Sequence, residues 1–166
     1  DITPEAVARG LERARYLTTP RVQTVLYLAL ALEKPLLIEG PAGAGKTEIG
    51  KVMAEILRTE LVRLQCYEGL DEAKALYEWN YQKQLLRVQA DRAQELDWSE
   101  VTQHIFSREY LLERPLLHAI TVPRKVVLLI DEIDKADEEF EAFLLEVLSD
   151  FQISIPELGT LAARHR

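Results

Sequence analysis

The chain has 166 residues, 48% of them apolar and 29% charged, and its 20 Lys and Arg against 28 Asp and Glu leave a net charge of −8. That is the size and makeup of one globular domain with enough apolar side chain for a real core. The acidic balance disfavours a large nucleic-acid or anionic-membrane surface, since both need a basic field. The single cysteine, Cys66, excludes a disulfide framework and a cysteine-based zinc site.

In chain order, Thr3-Pro4-Glu5 supplies an N-cap, a proline at the first helical position and a first-turn acid, and predicts a helix to about Tyr16. A second helix is expected over Arg21 to Leu32, ending before Lys34-Pro35. Its apolar run from Val22 is too short to cross a bilayer and is broken by Gln23 and Thr24. Leu36 to Glu39 reads as a short buried strand, followed by a glycine loop. Thr47 to Arg58 reads as a helix with Ile49, Val52, Met53, Ile56 and Leu57 on one face. Leu61 to Cys66 alternates like a strand, with Cys66 a small packed residue at its end and Glu60 to Arg63 a solvated, mixed-charge stretch. Asp71 to about Arg92 is expected to be helical. Asp97-Trp98-Ser99-Glu100 has the form of a capping box opening another helical stretch, which Pro115 breaks or restarts. Lys125 to Ile130 is nearly all apolar and β-branched, as a strand covered on both faces would be. Asp137 to Leu148 reads as a helix, and Gln152–Ile155 with Thr160–Ala163 as a hairpin around Pro156-Glu157-Leu158-Gly159. Strands alternating with helices imply a parallel α/β sheet. No signal peptide is visible, and a cytoplasmic location is expected. The start at Asp1 rather than Met and the end at Arg166 point to a piece of something longer.

The segment Gly40-Pro41-Ala42-Gly43-Ala44-Gly45-Lys46-Thr47 matches G-x-x-x-x-G-K-T without error. A loop that wraps a phosphate must turn several backbone N–H groups inward, which needs φ/ψ values and close approaches that glycine permits. The helix that follows adds unsatisfied N–H groups and its positive dipole end. Lys46 can then reach the β- and γ-phosphates, and the Thr47 hydroxyl can ligate Mg²⁺. The candidate nucleotide-binding set is therefore Gly40, Pro41, Ala42, Gly43, Ala44, Gly45, Lys46 and Thr47, with Glu48 beside them.

A second signal is Val126-Val127-Leu128-Leu129-Ile130-Asp131-Glu132, an apolar strand ending in two carboxylates. Open α/β sheets bind ligands at the carboxyl ends of their strands. Asp131 is the candidate metal residue with Thr47, and Glu132 the candidate catalytic base that polarises a water. The only asparagine, Asn80, is followed by Tyr81, so the guanine-reading N-K-x-D motif is impossible, and no D-x-x-G segment exists. Adenine is the better base, with ATP or ADP and Mg²⁺ the expected cofactors. His104, His118 and His165 have no ligand-like spacing.

These two motifs resemble those of AAA+ ATPases. More narrowly, Leu64–Asp71, Tyr77–Tyr81 and Ile105–Leu117 resemble the MoxR family, in its CoxD-like branch, and the likeness covers nearly all of residues 16–163. The resemblance implies a three-layer αβα P-loop NTPase fold, with residues 1–166 forming one nucleotide-binding domain that stops before the sensor-1 strand. It implies a Mg²⁺-dependent, chaperone-like ATPase that remodels or matures protein clients, works as a hexameric ring and pairs with von Willebrand factor A partners. A nucleotide-gated docking module and a motor acting on nucleic acid are the alternatives, the latter disfavoured by the acidic balance. Tyr16 and Leu17 are implied beside the adenine, with plain core packing as the alternative. Residues 71–122 match the family's elaborated second-helix region, where Tyr77, Trp79 and Tyr81 are candidate client contacts or core. The family's sensor 1, arginine finger and helical lid fall beyond residue 166, and Arg164 and Arg166 sit too early to replace them and read as solvated. The 166 residues are expected to bind nucleotide and to turn it over slowly, and a missing central strand would leave a sheet edge exposed.

Overall fold

The computed structural model describes residues 2–41, 43–92 and 98–165. In chain order the elements are α1 (Pro4–Arg13), α2 (Pro20–Leu32), α3 (Lys46–Leu57), β1 (Leu61–Gln65), α4 (Glu72–Leu76), β2 (Tyr77–Trp79), α5 (Tyr81–Arg92), α6 (Trp98–Ile105), β3 (Leu111–Glu113), α7 (Pro115–Thr121), β4 (Val127–Asp131), α8 (Glu138–Asp150), β5 (Gln152–Ile155) and β6 (Gly159–Ala162). Short 3₁₀ turns lie at Arg108–Tyr110 and Ile133–Lys135.

The helix starts follow their capping residues. Thr3 accepts from the Ala6 amide, Thr19 from Val22 and Asp137 from Phe140, each with an extended cap residue. Pro4, Pro20 and Pro115 each occupy a first-turn position, where their missing N–H costs nothing. Pro115 therefore opens α7. The first helix stops at Arg13, because Arg15 turns left-handed and the Tyr16 amide closes back on the Leu11 carbonyl.

β1 and β4 pair in parallel, with Leu61 opposite Val127 and Gln65 opposite Asp131. The period of two sorts their side chains. Val127 packs into a cluster with Val7, Leu11, Leu26, Ile49, Val52 and Met53 from α1, α2 and α3. Leu64, Leu128 and Ile130 join the other cluster, with Leu116, Leu117 and Ile120 of α7 and Phe140, Leu144 and Val147 of α8. Helices thus cover both faces of a parallel ladder, the expected three-layer α/β arrangement. β5 and β6 form the expected hairpin, Gln152 opposite Ala162, and bury Ile153 and Ile155 in the second cluster.

Three expectations need correction. Leu36 to Glu39 belongs to no ladder. Among the described residues no strand flanks it, and Leu37 is 70% exposed. β4 is only partly buried at all five positions, because β1 is its one neighbour among the described residues. Asp71 to Arg92 is not one helix: α4 ends at Leu76, and β2 interrupts it by pairing antiparallel with β3, Trp79 opposite Leu111. That short ribbon carries α5 and α6, which the buried Gln84 ties together by donating to the Ile105 carbonyl at 2.7 Å. Trp79 packs edge-on against Tyr77 and Phe106 and is 7% exposed, so it is core and offers no surface to a client; Tyr81 is exposed. The Asp97 end of the capping box lies outside the described residues, although α6 does begin at Trp98.

Helices α2, α3 and α8 end on left-handed Glu33, Arg58 and Phe151, where glycine is the unstrained residue. A side chain in that region costs roughly 1 kcal/mol. Arg58→Gly is expected to raise the thermal midpoint by about 2–4 °C in a domain of this size, as calorimetry would show. A lowered midpoint would mean that Arg58 holds the helix end by contacts of its side chain.

Candidate functional site

The glycine loop meets α3 through Gly45, whose φ of +77° is left-handed, as is that of Gly43 at +79°. Any other residue there would be strained. No side chain caps α3, so its first amides are left for a ligand or water. Lys46 bends back over the loop, its Nζ donating to the carbonyls of Gly40 and of Pro41, the latter at 2.8 Å. The Ala44 amide bonds the Pro41 carbonyl at 3.3 Å. Ala42 lies outside the described residues. Glu48 is exposed and paired with Lys51 at 2.8 Å, turned along the helix and not toward the loop.

Thr47 and Asp131 come together from 84 positions apart: the Thr47 hydroxyl donates to Asp131 Oδ2 at 3.1 Å and lies 3.3 Å from Oδ1. Gly50 makes this contact possible. A Cβ at that position would stand 3.3 Å from the Leu129 methyls, so a bare backbone lets α3 settle on β4 and delivers its first turn to the strand's end. Hydroxyl and carboxylate are hard oxygen donors, the kind Mg²⁺ takes, and it fills its remaining positions with phosphate and water. The pair fits that ion by its chemistry. Among the described residues no cluster of three or more His, Cys, Asp or Glu gathers as a metal site.

Asp131 has two further partners. Arg63 Nη2 reaches Oδ2 at 2.6 Å, and the Glu132 amide donates to Oδ1 at 3.1 Å. Burial pushes the Asp131 carboxyl up, but Arg63, the Thr47 hydroxyl and the Glu132 amide outweigh it and hold it below its ordinary value. Glu132 itself is left-handed, at φ +56°. Its carboxylate is held by Lys135 at 2.5 Å, and Lys135, with a smaller contribution from Gln65, keeps it below the ordinary range.

Tyr16 reaches the site. Its hydroxyl donates to the Gly45 carbonyl at 3.3 Å, and its ring lies against that glycine. Leu17 is 96% exposed, which overturns core packing as its role. Cys66 is fully buried at the end of β1, its amide bonded to the Asp131 carbonyl at 2.9 Å. Arg164 is exposed, and Arg166 lies outside the described residues. Arg63 is what the sequence reading missed. Its stretch of sequence reads as solvated, yet although half exposed it is bound to the central carboxylate. Only the β1–β4 register reveals that its long side chain can lean two residues along the ladder to Asp131. A cleft of about 400 Å³ between α4, α8 and the hairpin, lined by Leu76, Tyr77, Phe140 and Phe143, shares no residue with this site.

A glycine loop opening a helix, seated beside an acidic strand end on a parallel α/β sheet, defines a P-loop nucleotide-binding domain. The family model described as AAA domain (dynein-related subfamily) matches residues 35–166, and the chain belongs to that family, an ATP-binding ATPase domain. No curated protein and no solved structure matches it. No helix among the described residues is long and apolar enough to cross a membrane.

Two outcomes are expected. Gly50→Val drives Leu129 and α3 apart, an overpacking worth roughly 1–3 kcal/mol; the thermal midpoint and nucleotide affinity should both fall, and unchanged values would contradict the close-approach role. Asp131 and Glu132 have depressed folded pKa values. Their stabilisation is present above the ordinary carboxyl range and is lost as pH falls through the folded values. The thermal midpoint should therefore decline on acidification below about pH 4, and less steeply in Asp131→Asn; identical pH profiles would contradict it.

Proposed function

We propose that this domain binds ATP with Mg²⁺ and hydrolyses it, within a MoxR-type, chaperone-like AAA+ ATPase that remodels or matures protein clients. The observation that carries the nucleotide part is the Thr47–Asp131 contact at 3.1 Å. It brings the hydroxyl of the glycine-loop motif onto the carboxylate that ends the apolar strand. In this reading the amides of Gly43 to Thr47 hold the phosphates, and Lys46 leaves the Gly40 and Pro41 carbonyls to pair with them. Thr47 and Asp131 hold the metal, which when bound spreads the charge that develops on the transferred phosphoryl group. Tyr16, against Gly45, flanks the nucleotide. Glu132 orients a water and takes its proton as the water oxygen attacks the γ-phosphorus and the bond to the leaving diphosphate breaks.

The finer assignment rests on the MoxR-like segments at 64–71, 77–81 and 105–117. With it go a ring of identical chains, a von Willebrand factor A partner and a cytoplasmic setting. The ribbon-borne pair α5 and α6 fits an elaboration of that kind, with exposed Tyr81 in place of buried Trp79 as the aromatic left for a client. One observation favours a second reading, a nucleotide-gated docking module with little turnover: Glu132 is tied to Lys135 at 2.5 Å and must break that pair to serve as a base.

Glu132→Gln separates the readings. Under the first, steady-state phosphate release falls by about 10²-fold or more, while binding of a fluorescent ATP analogue is retained. Under the second, wild type and variant release phosphate equally slowly. Lys46→Ala is expected to weaken nucleotide binding itself, and wild-type affinity in that variant would contradict the proposed phosphate site.

A further inference from the structure

The donors around Asp131 leave a metal ion little room. Oδ1 accepts the Glu132 amide at 3.1 Å, and Oδ2 accepts both the Thr47 hydroxyl at 3.1 Å and the Arg63 guanidinium at 2.6 Å. These take three of the carboxylate's roughly four lone-pair sites, both of those on Oδ2 among them, so a divalent cation that binds Oδ2, the oxygen nearer the Thr47 hydroxyl, must displace one of its two donors. The Glu132 amide belongs to the adjoining peptide and is fixed by the chain. The Thr47 hydroxyl has lone pairs to offer the same cation. Arg63 has only donors and a full positive charge, so it and a metal ion repel each other across one oxygen. Its side chain is 48% exposed, against 17% for Asp131, at an exposed position of β1. It is the partner that is both unable to share and free to leave.

We propose that Arg63 is a resident counter-ion of Asp131 that Mg²⁺ displaces when the metal–nucleotide complex binds, so that β1 sets how strongly nucleotide binding depends on magnesium. In the metal-free domain the guanidinium holds the carboxylate toward Thr47 and offsets the neighbouring charges of Glu132 and Asp134. In the loaded domain it has swung into solvent. Arg63 acts through Asp131 and is a positioning residue. The inference rests on the proposed metal role of Thr47 and Asp131.

The test is the ratio of nucleotide affinities with and without metal. Binding of a fluorescent ADP analogue to the full chain is titrated in excess Mg²⁺ and in EDTA, for wild type, Arg63→Ala and Arg63→Lys, with thermal unfolding to check that each is folded. Removing the competitor should strengthen the Mg²⁺-dependent gain by about two- to fivefold in Arg63→Ala, the upper part of the range an exposed ion pair commands. Arg63→Lys, which keeps a charge, should return toward the wild-type ratio. A merely structural Arg63 would move both affinities together, and an unchanged or smaller ratio in Arg63→Ala overturns the proposal while leaving the metal site standing. A wild-type protein that binds the nucleotide equally in Mg²⁺ and EDTA overturns the proposal together with the metal site beneath it.

Discussion

The hydrogen bond from the Thr47 hydroxyl to the Asp131 carboxylate is the constraint on which the candidate site depends. It joins the start of one helix to the end of one strand across 84 positions of sequence, and each side is placed by ordinary packing. On one side, α3 lies on β4 through the bare backbone of Gly50 and the apolar face of Ile49, Val52 and Met53. On the other, β4 is held in register with β1 by a ladder that the Cys66 amide extends to the Asp131 carbonyl. A hydrogen bond to a charged group is worth only about 1.5–3 kcal/mol net, far too little to fold the domain around it. The two hydrophobic clusters set the geometry, and the polar contact is their consequence.

The same geometry concentrates charge. Asp131, Glu132 and Asp134 follow one another at the end of β4, and like charges this close repel unless cations are set among them. Lys135 takes Glu132, and Arg63 takes Asp131. These pairs hold both carboxylates ionised below their ordinary range. They also define what a phosphate and its metal ion must rearrange on arrival. Lys46 is likewise occupied, by the carbonyls of its own loop. Lys46, Arg63 and Lys135 are thus each engaged by the protein, and binding consists of exchanging such partners for a ligand's.

Much of this was legible in the sequence where the signal is local. Thr3-Pro4 and Asp137 mark helix starts by hydrogen bonds within three residues. The second helix begins at Pro20, one residue before Arg21, because Thr19-Pro20 repeats the grammar of Thr3-Pro4. The loop from Gly40 to Thr47 and the strand ending in Asp131 are chemical patterns that need no tertiary knowledge. What escaped depends on distant partners. β2 and β3 are three residues each and exist only because they meet each other; alone, each reads as the continuation of a helix. Leu36 to Glu39 has strand composition but no strand beside it among the described residues. Arg63 reads as a surface charge until the register sets it beside Asp131. Leu17 is apolar and yet outside, since hydrophobic residues are often exposed and burial is decided by the fold.

The account stands or falls on where a metal ion goes. A crystal of the chain grown with ADP and Mn²⁺ in place of Mg²⁺ would show it directly by anomalous scattering. The account predicts one peak within coordination distance of both the Thr47 hydroxyl and the Asp131 carboxylate, with the diphosphate enclosed by the amides of Gly43 to Thr47. A nucleotide-bound crystal with no metal between those two side chains, and Lys46 still resting on the Gly40 and Pro41 carbonyls, would contradict it.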